Sequence, residues 1–191
     1  MARRGSAGGD GDALPAELPD DVADDPDVDP ESAARTICLR LLTVRSRTRS
    51  ELADALRARH VPDAAAERVL QRFTEVGLID DGAFAATFAS TRLTERGLAR
   101  REIARQLRTK GVAEDDVMAA VADIDAHTER ETAHRLAERK FRSMSHLEPI
   151  VATRRLVGML SRKGYSPGLA VEVAHEVVKD GDIGTDLGDT G

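Results

Sequence analysis

The residues that could do chemistry in this chain are scattered, and their spacing builds no catalytic centre. The five histidines are His60, His127, His134, His146 and His175. No pair has the His-Glu-x-x-His spacing that sets two imidazoles and a base on one helix face. His127 and His134 are seven residues apart and could share a face, but no third ligand accompanies them, so no metal site is expected. Cys38 lies among Ile37, Leu39 and Leu41, the setting of a small core residue rather than a nucleophile. Asp80-Asp81 and Glu114-Asp115-Asp116 stand where helices start, and carboxylates there cap the chain and complement the helix dipole. Neither a Gly-x4-Gly-Lys-Ser/Thr phosphate loop nor a Gly-x-Gly-x-x-Gly turn occurs. No catalytic residue and no cofactor are therefore expected, and the protein is not expected to be an enzyme.

The basic residues carry more information. Residues 92–110 hold Arg92, Arg96, Arg100, Arg101, Arg105, Arg108 and Lys110 against Glu95 and Glu102, a local charge of +5. On a helix, Arg101, Arg105 and Arg108 fall at i, i+4 and i+7 and form a stripe, while Ile103 and Leu107 turn to another face. Few acids are spaced to pair with that stripe, which points to a polyanion or an acidic surface as its partner. A secondary basic surface is expected from Arg45, Arg47, Arg49, Arg57 and Arg59. Single-strand binders usually offer exposed rings for base stacking. Here Phe73, Phe84, Phe88, Phe141 and Tyr165 all fall in apolar patterns and read as core. Contact with DNA, if made, is thus expected to be with phosphate, with little sequence preference and a strong salt dependence.

These patches sit in a chain whose average charge hides them. The 191 residues carry 28 bases and 34 acids, a net −6. Residues 1–30 hold nine acids and two bases, and residues 180–191 hold four acids and no base. The remaining 31–179 have 26 bases and 21 acids, a charge of +5. Both ends are rich in glycine, and the first is rich in proline as well, so they are expected to be disordered acidic segments. No apolar run approaches the roughly 18 residues of a membrane helix. Arg3-Arg4 is followed by no apolar stretch, so no export signal is expected. A single cysteine suits the reducing cytoplasm.

The elements that must position the arginines read as helix throughout. Leu52 and Leu56 mark one helix, with Thr48 or Ser50 as its cap. Pro62 suits the first turn of the next, along which Ala66, Val69, Leu70 and Phe73 follow a 3.6-residue period to a stop at Gly77. With Ile37, Cys38 and Leu41 ahead of them, about three helices fill the stretch from Glu31 to Gly77. The pattern then recurs. An offset of 51 carries Leu52, Leu56, Val61, Ala66, Leu70 and Phe73 onto Ile103, Leu107, Val112, Val117, Val121 and Ile124. A further 53 carries that set onto Leu156, Leu160, Tyr165, Ala170, Ala174 and Val177. The turns Arg59-His60-Val61, Lys110-Gly111-Val112 and Lys163-Gly164-Tyr165 recur with them. The expectation is an all-α chain of three tandem three-helix repeats in an elongated curved array, at 31–79, 80–127 and 128–179, between a leader at 1–30 and a tail at 180–191.

In this order and spacing the residues resemble the RecX family. Gly77-Leu78-Ile79-Asp80-Asp81 with Phe84-Ala85 looks like its junction between repeats one and two. Arg96-Gly97, Arg101, Ile103, Leu107 and Lys110-Gly111-Val112 look like its second repeat. Ser50-Glu51-Leu52 is similar to the start of its first repeat, and Arg139-Lys140-Phe141 and Arg162-Lys163-Gly164-Tyr165-Ser166 resemble its third. The resemblance covers roughly residues 33–178. It implies a regulatory protein that binds the RecA filament on DNA and modulates, mainly by inhibition, its ATPase, strand exchange and co-protease activities in DNA repair, recombination and the SOS response. It also makes the basic second-repeat helix the candidate contact, with DNA touched weakly or within the filament, no membrane partner, and a monomer. Two departures stand out. His60 replaces the usual glycine of the first turn, and Gln106 stands where a glutamate is common. The alternative reading is a helical DNA-binding regulator of helix-turn-helix type, since three-helix units with a basic second helix resemble that module.

Overall fold

A computed structural model describes residues 29–144 and 146–186, with side chains described as far as Gly181. The acidic leader and the last residues of the tail, expected to be disordered, lie outside the described residues. Among the described residues there are nine helices and no strand: α1 Pro30–Val44, α2 Arg49–Arg57, α3 Asp63–Glu75, α4 Asp81–Arg96, α5 Arg100–Thr109, α6 Glu114–Ala120, α7 Ala126–Phe141, α8 Pro149–Arg162 and α9 Pro167–Asp186. None is long and apolar enough to cross a membrane. The backbone of α9 runs past Lys179, where the sequence predicted the third repeat to end.

Local chemistry sets where the helices begin. Asp29, Asp80 and Asp125 open the first helix of each repeat, and each carboxylate accepts a backbone N–H from three residues on. Thr48, one of the two caps predicted for α2, forms a full capping box with Glu51. Pro62 does not lie in the first turn of α3 as predicted. It holds the cap position itself, extended, and the helix starts at Asp63.

Three helices make a repeat because each is apolar on one side only. In every repeat the first and third helices pack together and the second packs across both. The positions matched by the offsets of 51 and 53 are buried in all three repeats, from Leu52, Ile103 and Leu156 to Phe73, Ile124 and Val177. Full burial of a leucine such as Leu52 or Leu56 contributes about 1.5–3 kcal/mol. Each repeat keeps its own apolar cluster, so each has its own core rather than sharing one.

The repeats are joined in series by one device used twice. In the first joint, the turn at Lys110-Gly111 docks on the start of α2. Thr48 Oγ1 donates to the Lys110 carbonyl at 2.7 Å, and the Arg49 N–H donates to Asp81 at 2.9 Å. In the second, the turn at Lys163-Gly164 docks on the start of α5. The Ala99 N–H donates to the Lys163 carbonyl at 3.0 Å, and the Arg100 N–H donates to Glu129 at 2.8 Å. Residues 48 and 49 become 99 and 100 by the same offset of 51. Gly111 and Gly164 have φ of +74° and +94°. A Cβ on Gly164 would stand 2.5 Å from Glu102 Cβ, and one on Gly111 would intrude on Ser50. The glycines are thus needed twice over, for the left-handed turn and for the close approach. His60 keeps the same left-handed conformation at φ +58° but is exposed. No repeat among the described residues packs against this turn, so it can carry a side chain.

Candidate functional site

The predicted basic residues separate into three places. Arg92 and Lys110 come together with Arg45 and Arg47 in a cleft between repeats one and two. The cleft has a volume of about 1230 Å³. One wall is the end of α1 and the linker after it, and the other is α4. Its apolar lining includes Leu39 and Leu78, both largely exposed, and the half-buried Phe84 and Phe88. The two rings stack at 5.9 Å with 21° between their planes. The Arg92 guanidinium lies 4.7 Å over Phe88, and the Lys110 ammonium lies 5.8 Å from Phe88 and 5.9 Å from Phe84. Cations over ring faces are attracted by the ring quadrupole.

The reading of Phe84 and Phe88 as core holds in part: both are half-buried and pack against the core of repeat two, as Phe141 does against that of repeat three, and they also line the cleft. Their spacing of four puts both on one face of α4, and the first repeat covers that face only in part at the cleft. Arg47, predicted on the basic surface, is buried at 5 % exposure, next to Thr48 and Arg49, which are hydrogen-bonded to repeat two. Arg45 and Lys110 both meet Glu51, at 3.5 and 2.7 Å. Burial works to raise the Glu51 carboxyl, but the Lys110 and Thr48 hydrogen bonds and the charges of Lys110 and Arg45 outweigh it and hold it below the ordinary range.

The second place is the outer face of α5. Arg101, Arg105 and Arg108 are exposed there, opposite the buried Ile103, Ala104 and Leu107, as the spacing predicted. The shortage of acidic partners is not observed. Glu102 holds Arg105 through two hydrogen bonds of 2.8 and 2.7 Å, and Glu114 holds Arg108 through two of 2.8 and 2.6 Å. Glu102 was visible in the sequence at i−3 from Arg105. Glu114 was not, because it lies beyond the turn after α5, where helix spacing no longer tells distance. Arg101 makes no hydrogen bond or ion pair with the described residues.

The remaining cations lie apart. Arg49 pairs with Glu67 at 2.5 Å and Arg57 with Asp54 at 2.6 Å. Arg59 donates to the Ala55 carbonyl at 2.9 Å. Arg96 ends α4 at the second joint, and Arg100 begins α5 beside it. His127 and His134 lie on α7 beside Glu131 and Glu138, at 3.4 and 3.3 Å. No metal-holding group of three occurs among the described residues. Cys38 is fully buried, and burial pushes its thiol up to about 11.

Fold and surface together define a tandem three-helix-repeat protein with basic faces around one aromatic cleft. Family models describing the first, second and third three-helix domains of RecX match residues 34–73, 80–121 and 128–173, in that order. The chain belongs to the RecX family, whose curated members are named as regulatory proteins. Regulatory protein RecX of Streptomyces lividans is 51% identical over 168 residues, covering 87% of this chain and 89% of that one. The Thermobifida fusca protein is 45% identical over 168 residues, covering 83% and 91%. Among solved structures, RecX from Lactobacillus salivarius superposes with a TM-score of 0.68 at 21% identity, over 78% of this chain and 96% of that one, a likeness of fold.

Proposed function

We propose that this protein regulates the RecA recombinase by binding the RecA–DNA filament, and that it mainly inhibits the ATPase, strand exchange and co-protease activities. It acts in the cytoplasm as a monomer of three repeats, 31–79, 80–127 and 128–179, by binding rather than by turnover. The observation that carries this reading is the match to all three RecX domains in order. Geometry supports the site reading in two places. The cleft gathers Arg45, Arg92 and Lys110 beside two half-buried rings, a surface for a protein segment with apolar and acidic groups. The face of α5 offers Arg101 with the more neutralised Arg105 and Arg108, a surface for phosphate or carboxylate.

The deciding experiment is co-sedimentation with the cognate RecA filament, with and without DNA, using the full chain. Binding to the filament supports the reading, and no binding in either case overturns it. A footprint on duplex DNA at a defined operator, without RecA, would favour the helix-turn-helix alternative instead. Reversing Arg101, Arg105 and Arg108 to Glu then tests the face of α5. Inhibition of the DNA-dependent RecA ATPase should be lost with helicity unchanged, and surviving inhibition would remove that face from the interface.

A further inference from the structure

The exposed side of α8 carries cations that no acid of its own helix meets. Arg154, Arg155 and Arg162 are all exposed, and none makes a hydrogen bond or ion pair with the described residues. From Pro149 to Arg162 the helix holds no aspartate or glutamate. Arg155 and Arg162 are seven residues apart, so they share one face at a separation of about 10 Å along the axis. Gly158 lies on that face between them, three residues after Arg155 and four before Arg162. Arg162 folds back over it, with Nη1 3.4 Å from where a Cβ on Gly158 would stand. The glycine therefore lets the Arg162 charge sit about one turn nearer to Arg155.

The matching face of repeat two shows what is unusual here. On α5, Glu102 takes Arg105 and Glu114 takes Arg108. The offset of 53 carries Glu102 onto Arg155 and Glu114 onto Pro167, so repeat three has neither carboxylate. At the first of these positions the charge is reversed. Its counterpart in repeat one is Glu51, which holds Lys110 of the next repeat, and Glu102 packs against the Gly164 turn of the repeat after it. In both of those repeats the position serves a joint. No further turn among the described residues docks on α8, and there the same position carries an exposed arginine. Cations gathered without a carboxylate repel one another. An anion placed among them relieves that repulsion as well as pairing with each.

We infer that Arg155 and Arg162, with Arg154 beside them, form a phosphate-binding face that takes the backbone of a single DNA strand. Charges spread along an exposed helix match the successive phosphates of a strand, and each guanidinium fork can engage two phosphate oxygens. Because α8 holds no aromatic residue, no ring of this helix stacks on a base, and the contact is with the backbone without reading sequence. This rests on the reading that the protein works on a DNA-bearing filament, and it places the strand on repeat three rather than on the paired arginines of α5.

The test uses the full chain and a fluorescein-labelled single-stranded oligothymidine, with binding followed by anisotropy over a series of potassium chloride concentrations and without RecA. Each phosphate contact contributes roughly 0.7 to the slope of log affinity against log salt for a single strand. The double variant Arg155→Gln with Arg162→Gln should bind more weakly and show a slope shallower by about 1.4, with helicity unchanged. Gly158→Glu sets a carboxylate between the two arginines, four residues ahead of Arg162, and should lower the slope by about 0.7. Among the described residues only the tip of Arg162 lies within 4 Å of a Cβ added there, and glycine is a poor helix former, so this variant should fold at least as well as wild type. Gly158→Ala should keep the wild-type slope. Arg72→Gln should also keep it, since Arg72 is an exposed cation paired with Glu75. An unchanged slope in the double variant or in Gly158→Glu overturns the face, as does a wild-type chain that binds no oligonucleotide at low salt. So does a double variant that loses binding to the RecA filament with its oligonucleotide slope intact, which would give the face to an acidic protein surface. RecA ATPase inhibition is read on the same preparations. A wild-type chain that binds the oligonucleotide through α8 but leaves RecA untouched sinks the regulatory reading and leaves the phosphate face standing.

Discussion

Gly164 lies so close to Glu102 that a Cβ added to it would stand 2.5 Å from Glu102 Cβ. The same glycine has φ of +94°. Gly164→Ala therefore combines a left-handed strain of about 1–2 kcal/mol with a clash across the joint. Chemical denaturation should show a loss of at least about 2 kcal/mol. The contrast is His60→Gly, at an exposed turn with no repeat docked on it. Relief of strain there is offset by the greater freedom of glycine in the unfolded chain, so stability should change by less than about 1 kcal/mol.

Glu51 ties the first joint together, and its carboxyl is held low by Lys110, Thr48 and Arg45 against the effect of burial. A carboxyl lowered on folding stabilises the fold above its unfolded range, and that contribution is lost as pH falls through the folded value. Wild type should lose melting temperature as pH falls below about 4.5, with this group contributing to the fall. Glu51→Gln should be less stable at pH 7 and lose less between pH 5 and pH 3, as read from melting curves across that range. Equal acid limbs would mean that the joint contributes nothing electrostatic.

Tyr165 donates its buried hydroxyl to the Gly97 carbonyl at 3.0 Å, and burial raises its phenol well above the ordinary range. Tyr165→Phe keeps the packing and leaves that carbonyl without its donor. The expected cost is about 1–2 kcal/mol, read as a fall of several degrees in melting temperature.

Cys38 gives a probe of opening in repeat one. With its thiol raised to about 11 and no exposure, it should react with a disulfide reagent at pH 8 more than about a hundredfold more slowly than in the denatured chain. Fast labelling of the native protein would show that repeat one opens on its own.

Much of the architecture was legible because helical repeats are local. The 3.6-residue period of Ala66, Val69, Leu70 and Phe73, the capping Thr48 and Asp80, and the recurring Lys-Gly turns all concern residues within a few turns of one another. The equivalence of His60 with Gly111 and Gly164 was legible too, although the reason for histidine there was not. That reason lies in which repeat has a neighbour. The basic faces were half legible. Spacing placed Arg101, Arg105 and Arg108 together on one exposed side of α5. It could not show Glu114 reaching back to Arg108 around a turn, nor Arg47 buried beside the joint between repeats one and two. The two rings Phe84 and Phe88 looked like core because apolar spacing records which face of a helix is apolar. Whether another element covers that face depends on how two repeats are set against each other, which a local pattern does not hold.

His60 also has a meaning for assembly. Joints of this kind set each repeat on the one before it through the same contacts, as in a linear polymer. A helix start docked on the first turn as the others are would meet His60 where they meet a glycine. The joint used twice in this chain depends on a glycine at its turn, and at the first turn His60 stands in that place.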